Sequence, residues 1–254
     1  RWWIFKRPTS IIYSTIADME QVLICPRVTK YASFCFVPSR QVFTEKLYVF
    51  IFQQYRYVAL LNSTLHELWA REFSATLGAT LQYASSDCFE NFPFPISISI
   101  AQLEPIGERY HIHRQSIMLT RQEGLTDTYN RFHNSTEHVP DIVQLRELHR
   151  EMDEAVARAY GWEDLRLEHG FHETKQGLRY TISEMARREV LDRLLLLNHE
   201  RHAEEVAAGL VDENGKPLKK KTLGAKEPGK GRGRVVEAAP VTPPEDGLAQ
   251  GKLF

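Results

Sequence analysis

Apolar residues are spaced in different ways along successive parts of the chain. Up to about residue 95 they come in short β-branched and aromatic runs. Val22-Leu23-Ile24-Cys25, the run 32–37 and the run 42–52 predict three strands, bounded by Pro26, by Pro38-Ser39 and by Gln53-Gln54. The short spacings between them predict antiparallel neighbours. Pro8, with its φ preset, predicts the opening of a short helix ahead of them. Over 57–73 the period becomes helical, with Val58, Leu61, Leu65, Leu68 and Trp69 on one face. After Gly78 the chain runs into Ser85-Ser86-Asp87-Cys88-Phe89-Glu90-Asn91-Phe92-Pro93-Phe94-Pro95, where two prolines two apart predict extended backbone.

From about 100 to 210 the pattern is charged and helix-periodic. The stretch 106–123 predicts one helix. A second is predicted over 141–160, with Asp141 as N-cap after Pro140, Gly161 at C′, and a stripe of Ile142, Leu145, Leu148, Met152, Ala155, Val156 and Ala159. Thr181-Ile182-Ser183-Glu184 fits a capping box opening a third helix that ends near Ala208, before Gly209. Trp162 and Phe171 are expected to pack between these helices. Residues 216–234 then hold eight Lys or Arg and one Glu, interleaved with glycine and without apolar periodicity, which predicts a disordered basic tail. The expected class is α+β: a small mixed α/β recognition domain (1–97), an all-α helical domain (98–210) and a disordered tail (211–254).

Composition narrows the function. In 254 residues, 32 Lys and Arg against 33 Asp and Glu give a net charge of −1, so bulk charge does not hold this protein to nucleic acid. No apolar run is long enough for a bilayer. Cys25, Cys35 and Cys88 are odd in number and far apart, which predicts free thiols and a reducing, cytoplasmic setting. The start carries no signal-peptide pattern. Arg1-Trp2-Trp3-Ile4-Phe5, dense in aromatics and without Met, reads as the interior of a longer protein.

Candidate chemistry is sparse. The pairs His111/His113, His169/His172 and His199/His202 lack the companion ligands of a zinc site and read as surface or interhelical histidines. Pro140-Asp141 with Glu173-Thr174-Lys175 matches a loose nuclease pattern, but those acids belong on adjoining strands and a predicted helix separates them. There is no phosphate-binding glycine loop and no nucleophile elbow; Gly229-Lys230-Gly231-Arg232-Gly233-Arg234 follows no strand. More suggestive are Arg27, Lys30, Tyr31, Arg40, Gln41 and Lys46, at or near turns between the predicted strands. Turns on a rigid sheet carry recognition residues, and Arg, Lys and Gln read guanine and adenine edges. A solvated strand rim has the same appearance.

Three motifs add to this reading. They are Trp2-Trp3-Ile4-Phe5-Lys6-Arg7-Pro8, Val22-Leu23-Ile24-Cys25-Pro26-Arg27-Val28, and the Ser86 to Pro95 stretch. With Gly124-Leu125-Thr126-Asp127-Thr128-Tyr129-Asn130-Arg131-Phe132-His133, Tyr160-Gly161-Trp162 and the stretch from Gly170 to Ser183, they run in the expected order over residues 1–210. The sequence resembles the C-terminal part of the large bacterial adenine-specific DNA methyltransferases of the fused type II (subgroups G and L) restriction–modification kind, relatives of phage-defence methylases. The resemblance implies a target recognition domain backed by a helical spacer. It implies double-stranded DNA as partner. It further implies S-adenosylmethionine and an Asn-Pro-Pro-Tyr motif in a preceding methyltransferase domain or a separate catalytic chain. Neither that motif nor a cofactor loop occurs here, so no catalytic, cofactor or metal residue is assigned. Gln250-Gly251-Lys252-Leu253-Phe254 resembles a sliding-clamp-binding peptide. A non-enzymatic helical interaction module, or a remnant without DNA affinity, is the rival reading.

Overall fold

Alternation along the strands builds the first layer. In the computed structural model, which describes residues 10–212 and 215, strand β1 (Gln21–Pro26) lies between β3 (Cys35–Pro38) and β4 (Leu47–Phe50), antiparallel to both. Leu23 stands opposite Phe36 on one side and Phe50 on the other. Side chains alternate between the two faces. Val22 and Val49 turn toward helix α1 (Ser10–Ile16), where Ile12 and Ile16 close a small core. Leu23, Cys25 and Phe50 turn the other way, into the main core. The expected strand 42–52 shortens to β4. The preceding loop bonds through Leu47 N to Thr44 O (3.1 Å) and Phe43 N to the Tyr13 hydroxyl (3.1 Å), and Val42 is exposed.

The helix expected over 57–73 is two helices, α2 (Tyr55–Asn62) and α3 (Thr64–Phe73). Ser63 breaks it with extended backbone (φ −66°, ψ 153°), ending α2 and capping α3 through its hydroxyl, which accepts from His66 N at 3.3 Å. The unpaired amides at the start of α2 are met from elsewhere: Glu104 accepts from Tyr55 N (2.8 Å) and Arg56 N (3.0 Å). Glu104 opens helix α5 (Glu104–Arg121), and α2 and α5 pack with Gly107 at the contact. A Cβ there would sit 2.0 Å from the Tyr55 carbonyl oxygen. Gly107→Ala should therefore cost about 1–3 kcal/mol by forcing the helices apart; denaturant melts check this, and an unchanged midpoint would show that the helices separate freely.

A second antiparallel sheet has the order β2 (Val28–Thr29), β6 (Thr80–Gln82), β5 (Ala75–Leu77). Gly78 turns its hairpin at φ +59°. The stretch 85–95, expected to be extended throughout, opens instead with a π-helical turn over Ser85–Phe89. Its aromatic residues are core: Phe89, Phe92 and Phe94 are buried beside Trp69, whose indole N–H donates to Cys88 O at 2.9 Å.

The second region contains α4 (Ser97–Ile100), a 3₁₀ turn (Ala101–Leu103), α5, α6 (Leu125–Phe132), α7 (Pro140–Ala159) and α8 (Glu184–Ala207). It is not wholly helical: β7 (Gly170–Thr174) and β8 (Gly177–Thr181) form a hairpin between α7 and α8. Two expected caps shift. Val139, with Pro140 at the first helical position, opens α7, and Asp141 faces Arg121 instead. Thr181 closes β8, and Ser183 caps α8 by accepting from Ala186 N. Gly161 (φ +78°) and Gly209 (φ +68°) stand past the ends of α7 and α8. Trp162 stacks on Tyr160 with ring centroids 4.6 Å apart, and Phe171 lies on the hairpin against Tyr180. One hydrophobic cluster runs from Leu23 to Leu194, through both regions. Among the described residues no helix is long and apolar enough to cross a membrane. The Trp2 to Pro8 motif, the glycine–lysine run and the Gln250 to Phe254 peptide lie outside the described residues.

Candidate nucleic-acid interface

The fold divides the six turn residues among three places. Arg27 and Lys46 meet where β1 ends and β4 begins, with Arg27 N donating to Lys46 O at 2.8 Å. The Arg27 guanidinium lies over the Tyr48 ring (5.3 Å) and donates to Glu45 O (3.3 Å). That contact orients the group and leaves further N–H bonds outward. Arg40 and Gln41 are at the opposite end of the sheet, past β3, where Gln41 Nε2 donates to Pro38 O at 2.9 Å. The length of β1, about 17 Å, separates the two groups. All four of these residues are exposed.

Lys30 and Tyr31 form the third place, at the seam with the helical region. Both reach Asn130 of α6: Lys30 Nζ at 2.8 Å and the buried Tyr31 hydroxyl at 2.9 Å donate to its Oδ1. Tyr31 stacks on His133 (5.1 Å between rings), and the Arg179 guanidinium of β8 lies over the Tyr31 ring at 4.9 Å. Two of these partners, Asn130 and His133, fall in the motif around Gly124, and Arg179 falls in the motif around Gly170. The motifs marked them in the sequence, but nothing in their spacing pointed at Tyr31.

Beneath this seam runs a buried polar chain. Arg114 of α5 donates to Phe34 O, to Asn62 Oδ1 (3.0 Å) and to the Tyr129 hydroxyl (2.9 Å). Asn62 brackets Phe34, accepting from its N–H (2.9 Å) and donating to its carbonyl (3.1 Å). Arginine only donates, so the Tyr129 hydroxyl accepts from it; Tyr129 also meets the Tyr110 hydroxyl (2.8 Å), which lies 3.4 Å from His149 Nδ1. His149 Nε2 faces Thr64 Oγ1 at 3.1 Å and Asp153 at 3.6 Å. Burial holds the His149 pKa below its ordinary value, in keeping with a neutral ring. Asp153 also accepts from Thr64 N (2.7 Å) and faces His169 Nε2 (2.8 Å). Burial opposes ionisation of Asp153, but these partners together hold its pKa below the usual carboxylate range. The chain thus ties the loop after β2, helices α2, α3, α5, α6 and α7, and the approach to β7 into one rigid unit.

Above the chain opens a cleft of about 590 Å³ between α3, the β7–β8 hairpin and the first turns of α8. Tyr31, Arg71, His133, Arg179, Tyr180 and Arg187 are among its walls. Of the residues in the loose nuclease pattern, Glu173 and Lys175 line this cleft, whereas Asp141 is held by both Arg121 nitrogens at 2.9 Å elsewhere. His113 meets the Asp141 carbonyl and His172 the Glu168 carbonyl. Among the described residues no group of His, Cys, Asp or Glu is arranged to hold a metal ion. All three cysteines are free, and burial raises the pKa of the Cys25 thiol. On the surface of α8, Arg188 pairs with Glu184 and Arg193 with Glu189, while Arg193 also grips Asp164 and Arg187 turns to the Glu173 carbonyl.

The class this defines is an α+β module whose small antiparallel sheet presents basic turns at both ends and is braced by helices. Residues 4–96 match the family model of the MmeI target recognition domain. The chain is also similar in fold to a solved structure described as the type IIL restriction-modification enzyme MmeI in complex with DNA, with a TM-score of 0.51 and 16% identity over 73% of the chain. The chain spans 22% of the length of that enzyme. No curated protein matches the sequence.

Proposed function

We propose that this chain chooses the DNA sequence on which a restriction–modification enzyme acts, binding duplex DNA through the turns of its first sheet. The observation that carries the reading is the coincidence of the recognition-domain match over residues 4–96 with exposed Arg27, Lys46, Arg40 and Gln41 on a braced sheet. In this reading the parent enzyme is a cytoplasmic adenine-N6 methyltransferase serving restriction or phage defence. Its S-adenosylmethionine site and base-gripping motif belong to a preceding domain or a partner chain, because the present sequence contains neither. Phosphate contacts supply affinity and a few base contacts supply choice.

Arg27→Ala and Arg40→Ala test it. A base-reading arginine should cost about 1–3 kcal/mol on the preferred sequence and relax the preference at one position. Equal weakening on every duplex would make that residue a phosphate contact, and no change for either variant would remove the sheet ends from the interface.

A further inference from the structure

Among the described residues, few buried side-chain nitrogens lack a hydrogen-bond partner, and three of them belong to walls of the same cleft: Nη1 of Arg71, Nη1 of Arg187 and Nδ1 of His133. Other nitrogens of both arginines are already bonded. Arg71 donates to Glu67 and to Lys30 O, and Arg187 Nη2 donates to Glu173 O at 3.0 Å. A buried N–H left without an acceptor is costly, so the two guanidinium N–H groups in the walls of one cavity point to an acceptor that arrives with a ligand, while His133 Nδ1 is donor or acceptor according to its tautomer. A third guanidinium, Arg179, lies over Tyr31 in the same cleft. Guanidinium groups converging on one space suit an anion with several oxygens. Of the acidic residues in the walls, Glu67 and Glu184 are already ion-paired with Arg71 and Arg188, while Glu72 and Glu173 remain to temper the affinity.

We propose that the cleft binds a phosphate group, supplied in the DNA complex by the duplex backbone. The choice of DNA as source rests on the recognition reading above. The two-residue strand β2 carries the chain from Arg27, at the end of the first sheet, to Lys30 and Tyr31 at the cleft, a span of about 10 Å. A duplex docked on Arg27 would lie about 10 Å from the edge of the cleft, within reach of its backbone.

The test uses the full chain, inorganic pyrophosphate and a duplex carrying the preferred sequence. Arg187→Gln and Arg179→Gln are compared with the unaltered chain. Arg179→Gln removes only a ring-stacked group and keeps the test valid if Arg187→Gln disturbs the start of α8. Calorimetry should show pyrophosphate bound at millimolar concentration and weakened at least about fivefold by each folded variant. Duplex binding should weaken similarly, and its dependence on salt should flatten by about one unit of log–log slope for each arginine taken off the backbone. Absence of pyrophosphate binding, or equal binding by all three proteins, would overturn the cleft as a phosphate site. Loss of pyrophosphate binding with unchanged duplex affinity and slope would overturn the backbone as its source and leave a site for a free phosphate compound. The Arg27→Ala and Arg40→Ala comparison judges the recognition reading separately, since neither residue touches the cleft.

Discussion

Replacing Arg114 by methionine should destabilise the protein by about 3–5 kcal/mol, the balance between three charge-assisted hydrogen bonds lost, at about 1.5–3 kcal/mol each, and the buried charge removed with them. Arg114 is 1% exposed and has no carboxylate partner; its contacts are Phe34 O, Asn62 and Tyr129. Methionine fills part of the volume but takes one charge-assisted bond from each acceptor, leaving Phe34 O and Asn62 Oδ1 only their bonds to each other's residue and Tyr129 only Tyr110. For a domain of this size the loss corresponds to a fall of about 10 °C in melting temperature. It should also loosen the seam, because Phe34 belongs to the recognition region and Tyr129 to the helices. Tyr129→Phe leaves Arg114 in place and should cost about 1 kcal/mol. If Arg114→Met melts like the parent, the polar chain is not what joins the two regions.

Acid should destabilise the protein well above the range where carboxylates titrate. His66 on α3 is fully buried, with Nε2 against the Tyr83 hydroxyl at 3.0 Å, Nδ1 without a partner, and Phe92 edge-on at 4.5 Å. Burial lowers its pKa from 6.5 to about 3. Burial, followed by the charge of Arg114, lowers that of His111 to about 4. In the unfolded chain both take up a proton near pH 6.5; in the folded protein they do so only near pH 4 and below. Stability is therefore complete above about pH 6.5. As pH falls below that, each histidine removes about 1.4 kcal/mol per unit until its folded value is reached. Asp153, whose folded pKa is also depressed, adds a loss in the same direction at lower pH. Urea melts at pH 7.5, 6 and 4.5 measure the slope, and His66→Leu should flatten it by about one proton. A stability independent of pH between 7.5 and 4.5 would contradict the burial of these rings.

The sequence is legible where one element explains itself. Val22 to Cys25 is a strand because its neighbours alternate between two cores, and the stripe of α7 is buried as its spacing requires, apart from half-buried Ala155. It is not legible where a partner distant in sequence decides. The α2–α3 break sits in Asn62-Ser63-Thr64, three residues whose side chains all bond backbone or buried groups, so helical periodicity alone runs straight through it. The Glu104 cap of α2 comes from 49 residues away. The β7–β8 hairpin has no clean apolar alternation, since both faces carry polar residues, and it shows in the sequence only as part of a motif. The site follows the same rule. Basic residues near turns are visible, but the order β3–β1–β4 decides that Arg27 and Arg40 stand at opposite ends of the sheet. The cleft draws its walls from residues as far apart as Tyr31 and Leu191, a grouping that no local spacing contains.

Whether this chain selects a DNA sequence is decided by binding the full chain to a pool of random duplexes at low and moderate salt and sequencing the bound fraction. One motif should be enriched at both salt concentrations, with total binding falling steeply as salt rises. Salt-sensitive binding without enrichment, or no binding by a chain shown to be folded, would contradict sequence selection.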